Sequence, residues 1–160
     1  MSSTSRCMAR STTPDMWDNV IEHIEGARSI AISGHTNPDG DALGSALGLG
    51  LSLRLAFPMK HIDFLLADEA PVPRVYRFME GTDEMVPAAR YDGRPDLFIS
   101  VDVPILSRLA DSAEVAKRAL GRVVIDHHPS RDEFGDASVR VTSAAATSVL
   151  VEELLEAGGY

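Results

Sequence analysis

The segment from Ser29 to Ser45, SIAISGHTNPDGDALGS, is the feature that most constrains how this chain folds. Its apolar run, Ile30 to Ile32, stops at Ser33-Gly34 and gives way to a polar turn. Leucines then recur every four residues from Leu43 to Leu55, which is the spacing of a helix and not of a strand. A strand, a polar loop and a helix in this order place the loop at the carboxyl end of the strand, where α/β proteins bind ligands.

The polar loop holds candidate ligands for a metal ion. His35, Asp39 and Asp41 offer an imidazole and two carboxylates within seven residues, and Asn37 lies among them. Two interpretations of the aspartates are open on this evidence. They cap the start of the helix, where a carboxylate suits the positive end of the helix dipole, or they bind a cation.

The rest of the chain alternates between short apolar runs and helical patterns. Besides Ser29 to Ser33, strands are predicted at His61 to Leu66, Asp96 to Val101, Val123 to Ile125 and, weakly, Val139 to Val141. Helices are predicted at Pro14 to Glu25, Asp41 to Ala56, Ser112 to Leu120 and Ala144 to Ala157. This alternation predicts an α/β fold with a mostly parallel sheet and helices on both faces.

Length and composition fit one domain. We expect residues 14–160 to form it and residues 1–13 to be a disordered leader. A single cysteine, Cys7, excludes an internal disulfide framework, so a cytoplasmic location is the default expectation. The net charge of −9 argues against binding long nucleic acid, and no apolar run is long enough for a membrane span. A small substrate that carries phosphate stays compatible with this charge, because bound cations would reverse the local field.

Three predicted strands end in acids or histidines, and parallel strands bring those ends to one edge of the sheet. Asp102 follows the third strand, and Asp126-His127-His128 follow the fourth. Together with the first loop they form a set of carboxylates and imidazoles without a thiolate, which suits Mn²⁺ or Mg²⁺. Two ions about 3.5–4 Å apart could promote phosphoryl displacement, and Asp102, alone at its strand end, is the candidate to bridge them. Alone, His127 or His128 could instead be a satisfied core histidine.

The string HTNPDGDALGS, the apolar strand that ends in Asp102, and Asp126-His127-His128 together resemble the DHH phosphoesterase superfamily. Within it, the full string is similar to the NrnA-like branch, which combines oligoribonuclease and phosphoadenosine phosphate (pAp) phosphatase activities. Related members cleave cyclic dinucleotides or their linear products. The resemblance therefore implies a hydrolase that uses two Mn²⁺ ions, with Mg²⁺ or Co²⁺ as alternatives, and acts on short RNA or nucleotides.

The resemblance also implies roles for individual residues. His35 and Asp39 would hold one metal, Asp41 and His127 the other, and Asp102 would bridge them. His128 would face the substrate phosphate in a charge-stabilising or acid role, and Asp126 would support the histidine ligands. Asn37 and Arg108 are candidates for substrate binding, although Arg108 is equally well explained as a solvated arginine.

The family pattern includes two features that we do not find in these 160 residues. One is a further metal-ligand aspartate from a later segment, and the other is the C-terminal DHH-associated domain. We therefore expect a fragment or a truncated product with a weakened second metal site. Two alternative functions stay open: a manganese-dependent inorganic pyrophosphatase, and a non-catalytic domain that binds metal or nucleotide. The oligomeric state is open between monomer and homodimer.

Overall fold

Strands and helices alternate along residues 16–160, the part of the chain that a computed structural model describes. The strands are β1 (Ser29–Ser33), β2 (His61–Leu66), β3 (Val86–Pro87), β4 (Leu97–Val101), β5 (Gly121–Asp126) and β6 (Ala137–Arg140). The helices are α1 (Asp18–Gly26), α2 (Gly40–Ala56), α3 (Ser112–Arg118) and α4 (Thr147–Gly158). Short 3-10 turns lie at Arg74–Tyr76, Thr82–Glu84, Ala88–Arg90 and Leu106–Leu109.

The strands form one sheet in the order β3-β2-β1-β4-β5-β6. Neighbouring strands run parallel throughout, so all the carboxyl ends lie along the same edge. The chain builds outward from β1 through β2 to β3, then crosses to β4 on the other side of β1. The order thus reverses between β1 and β4, and such a switch point leaves a crevice where open α/β sheets bind ligands.

Helices cover both faces of the sheet because successive strand residues point to opposite sides. On one face, Ile30 and Ile32 of β1 join a buried cluster that includes residues of α1, α2 and α4. On the other face, Ala31 and Phe98 pack with Val115 of α3. Burying each large apolar side chain stabilises the fold by about 1.5–3 kcal/mol. The predicted α/β class, with a mostly parallel sheet and helices on both faces, is confirmed.

The predicted elements agree with the structure except at several boundaries. Strand β3 was not predicted, since two residues give no alternation to detect. Strand β5 begins earlier than predicted, at Gly121, and β6 covers Ala137–Arg140 instead of residues 139–141. Helix α3 ends at Arg118. Helix α4 begins at Thr147 and not at Ala144, because Ala146 has extended backbone angles and the first free N–H groups are bound by a carboxylate from α2.

Two further predictions concern the start of the chain and the length of its helices. The predicted leader and the predicted helix start at Pro14 lie outside the described residues, and α1 begins at Asp18 within them. None of the helices in residues 16–160 is long and apolar enough to cross a membrane.

Candidate metal centre

The candidate ligands lie together at the carboxyl ends of β1, β4 and β5, at the switch point of the sheet. The loop after β1 approaches α2 closely at Gly34, where a Cβ atom would lie 2.9 Å from the Cβ of Ala42. A side chain at this position would push the loop off the helix. The glycine therefore allows the next residue, His35, to turn inward, where it is only 8% exposed.

His35 presents its Nε2 atom to the site. Its Nδ1 donates a hydrogen bond of 2.7 Å to the carbonyl of Thr36, which leaves Nε2 with a free lone pair in the neutral ring. This Nε2 lies 3.4 Å from Oδ2 of Asp102 and 3.8 Å from Oδ1 of Asp39. The hydrogen bond with Asp102 raises the pKa of His35 although burial lowers it, so a proton and a cation compete for the same position.

Asp39 serves as the N-cap of α2. Its Oδ1 accepts hydrogen bonds of 3.0 Å from the backbone N–H groups of Asp41 and Ala42. The capping interpretation is thus correct for this residue, but it does not use up the carboxylate. Oδ2 makes no hydrogen bond within the described residues, and the side chain is 60% exposed. Asp39 can therefore cap the helix and contribute an oxygen to a cation beside His35.

Asp102 lies at the centre of the site and is 2% exposed. Its φ of 62° is in the left-handed region, which is uncommon for a residue other than glycine and is often found at functional sites. Its backbone N–H donates to the carbonyl of Ile125. The hydroxyl of Thr147 donates a hydrogen bond of 2.9 Å to Oδ1 of Asp102 and fixes the orientation of the carboxylate.

The two histidines after Asp126 both approach Oδ1 of Asp102, His127 with Nε2 at 3.6 Å and His128 with Nδ1 at 3.5 Å, but their Nδ1 atoms donate to different partners. The Nδ1 atom of His127 donates 3.2 Å to the carbonyl of Ala144, and Nε2 lies 3.6 Å from Oδ1 of Asp102 and 3.7 Å from Oδ2 of Asp41. The Nδ1 atom of His128 donates 2.9 Å to Oδ1 of the fully buried Asp126. His128 is 41% exposed in its side chain, so its Nε2 edge is open to a ligand.

The described residues contain two groups with the spacing of metal ligands, and Asp102 belongs to both. One group is His35, Asp39 and Asp102, and the other is Asp102, His127 and His128; within each, the ligand atoms lie within 4.8 Å of one another. Two ligands about 2.1 Å from one cation lie about 3.0–3.4 Å apart at right-angled to tetrahedral geometry. The distances from the carboxylate of Asp102 to Nε2 of His35 and to Nε2 of His127, 3.4 and 3.6 Å, are close to this range. The mixed set of imidazoles and carboxylates suits a divalent cation.

Asp41 belongs to neither group, and its two oxygens bind the start of α4. Oδ2 accepts a hydrogen bond of 2.8 Å from the N–H of Thr147, and Oδ1 accepts one of 2.9 Å from the N–H of Ser148. Burial pushes the pKa of Asp41 upward, but these backbone donors and the nearby His127 hold it below its usual range. Asp41 is an ionised acceptor beside the second group, and its role as a metal ligand stays a prediction.

The two predicted substrate-binding residues border the site. Asn37 is exposed, has a φ of 49°, and donates its backbone N–H to the carboxylate of Asp68. The guanidinium of Arg108 lies 3.2 Å from Nδ1 of His35, an atom that already carries the proton donated to Thr36. The guanidinium is therefore a positive charge close to the site, and it does not form a second hydrogen bond with this nitrogen. Nothing in these contacts tests a substrate role for either residue.

Sequence reasoning missed two polar residues that hold the site together. Thr147 is one of them, because its hydroxyl donates a hydrogen bond to Asp102 and orients that carboxylate. Arg140 is the other, and its Nε lies 3.1 Å from Oδ2 of Asp126. The position of Arg140 between Val139 and Val141, in the middle of the weakly predicted strand, is the signal that could have identified an inward-facing cation at this edge.

These features define a class: a parallel α/β domain whose carboxyl edge carries two histidine and carboxylate groups joined through one aspartate. The chain belongs to the DHH family, because the model of that family's N-terminal domain matches residues 29–160. The resemblance to the family is thereby confirmed, and relatives that are themselves NrnA proteins confirm the NrnA-like branch.

Several known proteins are similar to this chain, and three of them illustrate the range. The chain is 35% identical to the bifunctional oligoribonuclease and PAP phosphatase NrnA of Bacillus subtilis, over 87% of this chain and 42% of that protein. It is 32% identical to the cyclic-di-AMP phosphodiesterase GdpP of Geobacillus thermodenitrificans, over 84% of this chain and 22% of that protein. A crystal structure of an exopolyphosphatase-related protein from Bacteroides fragilis superposes with a TM-score of 0.81 at 27% identity, over 91% of this chain and 44% of that one. The chain thus spans less than half the length of each.

Proposed function

We propose that this chain is a metal-dependent phosphoesterase that hydrolyses short oligoribonucleotides, dinucleotides or pAp with two divalent cations, Mn²⁺ being the best fit. One observation carries the proposal: the two oxygens of Asp102 face different imidazoles, Oδ2 toward His35 and Oδ1 toward His127. A carboxylate oriented in this way can bridge two cations. The activities in the names of the relatives from Bacillus subtilis and Geobacillus thermodenitrificans support the choice of substrate class.

The protein's residues have distinct tasks in this proposal. His35 and Asp39 would hold one cation, and His127 and Asp41 the other, with Asp102 available to both. Such cations would supply positive charge for the phosphate and would lower the pKa of an attacking water.

The substrate is bound and protonated by groups at the rim of the site. His128 directs Nε2 at the phosphate and donates a proton to the departing oxygen, while the carboxylate of Asp126 stabilises the imidazolium. Arg108 and Asn37 orient the substrate beside His35. A short substrate is favoured, because a chain with a net charge of −9 offers little attraction to a long polyanion outside the site.

The decisive test is hydrolysis of 5′-phosphorylated diadenylate and of pAp with Mn²⁺, followed by chromatography of the released nucleotides. Replacing a supporting residue of a metal site costs about 10–100-fold in activity, so loss of the shared ligand in Asp102→Asn is expected to cost more than about 100-fold. Asp111→Asn is the matched control, since Asp111 is an exposed acid before α3. Wild-type rates in Asp102→Asn would refute the assignment.

Calorimetric titration with Mn²⁺ separates the enzyme from a non-catalytic binding domain. Two bound ions together with turnover support the proposal. One bound ion without hydrolysis of any substrate supports a domain that only binds metal or nucleotide.

A second candidate reaction is hydrolysis of a phosphoanhydride, which the structural similarity to an exopolyphosphatase-related protein favours. The same metal arrangement could act on pyrophosphate or short polyphosphate. Assays of pyrophosphate and diadenylate on one sample decide between the two. Faster hydrolysis of the dinucleotide is expected, because Asn37-Pro38-Asp39-Gly40 matches the nucleotide branch of the family.

A further inference from the structure

Arg140, the last residue of β6, makes an unusually large set of hydrogen bonds beside the metal centre. Its Nε donates 3.1 Å to Oδ2 of Asp126. One terminal nitrogen donates to the carbonyls of Ser130 and Asp132 at 3.3 and 3.2 Å, and the other to the carbonyl of Pro104 at 3.4 Å. The guanidinium thereby joins the end of β6 to the loops that follow β4 and β5.

The acceptor of this arginine is the residue that positions His128. Asp126 is fully buried, and its two oxygens are divided between Arg140 on Oδ2 and Nδ1 of His128 on Oδ1. A buried carboxylate is costly unless it is paired and hydrogen-bonded. Arg140 supplies the pairing with a charge that stays fixed, because a guanidinium is always protonated in proteins.

The same contacts fix how His128 meets a ligand. A neutral imidazole carries its proton on one nitrogen, and the partner of that nitrogen determines which one. Asp126 is the nearer acceptor of Nδ1, at 2.9 Å against 3.5 Å for Oδ1 of Asp102, so with Asp126 held in place Nδ1 keeps a proton and Nε2 is the ring nitrogen left for a ligand. If the carboxylate could rotate, this preference and the direction of the ring would be lost.

We infer that Arg140 is a positioning residue that acts through Asp126 to hold His128 with Nε2 toward the substrate. The kinetic consequences rest on the proposed phosphoesterase function, whereas the orientation and protonation of the ring do not. Arg140 touches none of the proposed metal ligands, so its removal is expected to leave metal binding largely unchanged.

The test compares Arg140→Met and Arg140→Lys with the control Arg122→Met. Arg122 also pairs with an aspartate, at 2.9 Å from Asp136, but at the amino end of β5, away from the site. Arg140→Met is expected to lower kcat about 10–100-fold with KM within about twofold, which is part of the roughly 10²–10⁴-fold that a positioned general acid contributes. Arg140→Lys keeps the charge but not the planar fork, so an intermediate kcat is expected.

A double variant separates positioning from stability. Arg140→Met leaves a buried carboxylate unpaired and should lower the melting temperature. Asp126→Asn combined with Arg140→Met removes that charge and should recover much of the melting temperature, while kcat stays low. Recovery of kcat together with stability would overturn the inference, since Arg140 would then serve only to neutralise Asp126.

A spectroscopic measurement completes the test without any need for activity. In ¹⁵N-histidine-labelled, metal-free protein, we expect His128 to show a protonated Nδ1 in the wild type and in Arg122→Met, and to lose that signature in Arg140→Met. An unchanged His128 signature in Arg140→Met overturns the inference. Should the wild type hydrolyse nothing, the proposed function fails, and this measurement still decides the role of Arg140.

Discussion

Strand β4 runs between two aspartates, Asp96 before its first residue and Asp102 after its last, and their surroundings differ. The carboxylate of Asp96 accepts hydrogen bonds of 2.9 and 3.1 Å from the backbone N–H groups of Arg28 and Ser29. The carboxylate of Asp102 accepts one hydroxyl and faces the Nε2 atoms of His35 and His127. The first aspartate joins β4 to β1, and the second faces atoms that can share a cation with it.

The contrast shows how to distinguish a structural carboxylate from a ligand. The two residues flank the same apolar strand, and in the sequence only the position of Asp102 at the carboxyl end marks it as a candidate ligand. What differs is the partner: backbone N–H groups donate to Oδ2 of Asp96, whereas imidazole nitrogens bring further lone pairs to Asp102. Two acceptors that face each other are stable only when a proton or a cation lies between them.

The largest expected effect tests this contrast directly with metal-induced stabilisation. An excess of Mn²⁺ of about 100 times its Kd should stabilise the wild type by about 2.7 kcal/mol. Asp96→Asn should keep this increase, and Asp102→Asn should lose most of it. Thermal melts with and without Mn²⁺ measure the difference. An equal increase in both variants would mean that Asp102 is as structural as Asp96.

Asp41 combines features of Asp96 and Asp102, because it lies at the carboxyl edge of the sheet but accepts hydrogen bonds from backbone N–H groups as Asp96 does. In metal-free protein, Asp41→Ala should lower the free energy of unfolding by about 1–2 kcal/mol, the usual cost of losing a helix cap. Asp41→Asn keeps one oxygen as an acceptor and should cost less. Denaturant melts of both variants measure this. A stability equal to the wild type in Asp41→Ala would show that the cap at α4 contributes nothing.

The smallest effect is the pH dependence that Asp96 gives to stability. The N–H of Arg28, ahead of that of Ser29, holds the pKa of Asp96 below its usual value. The unfolded value is about 3.9, so the stabilisation is present above that pH and is lost as the pH falls through the folded pKa. The difference in melting temperature between wild type and Asp96→Asn should therefore shrink from about pH 6 to about pH 3. A constant difference would show that Asp96 acts through shape and not through charge.

Much of the fold and the site follows from local sequence patterns. The strand, loop and helix from Ser29 to Ala56 are encoded by an apolar run, polar turn residues and a four-residue leucine spacing. Asp102 and Asp126-His127-His128 were identified because they end apolar strands, and a parallel sheet brings such ends to one edge. These predictions needed no knowledge of which side chains touch.

Most of the features of the fold and the site that could not be predicted from the sequence depend on contacts between distant segments. Thr147 meets Asp102, and Arg140 meets Asp126, only once the sheet and α4 are assembled. The start of α4 was misplaced for the same reason, since its capping carboxylate is Asp41 of α2 and not a neighbour in sequence. Strand β3 was missed because its two residues pair with Leu65 and Leu66 without a pattern of their own.

The reversal of strand order between β1 and β4 has a consequence for synthesis on the ribosome. Strands β1 and β2 are close in sequence and can pair early, but β1 pairs on its other side with β4, and Asp102 needs Thr147 from α4. Such long-range parallel pairing is slow and exposes unfinished edges. A nascent chain that has emerged only through β2 carries His35 and Asp39 without Asp102. The proposed cation site at Asp102 is therefore completed late, when α4 has left the exit tunnel.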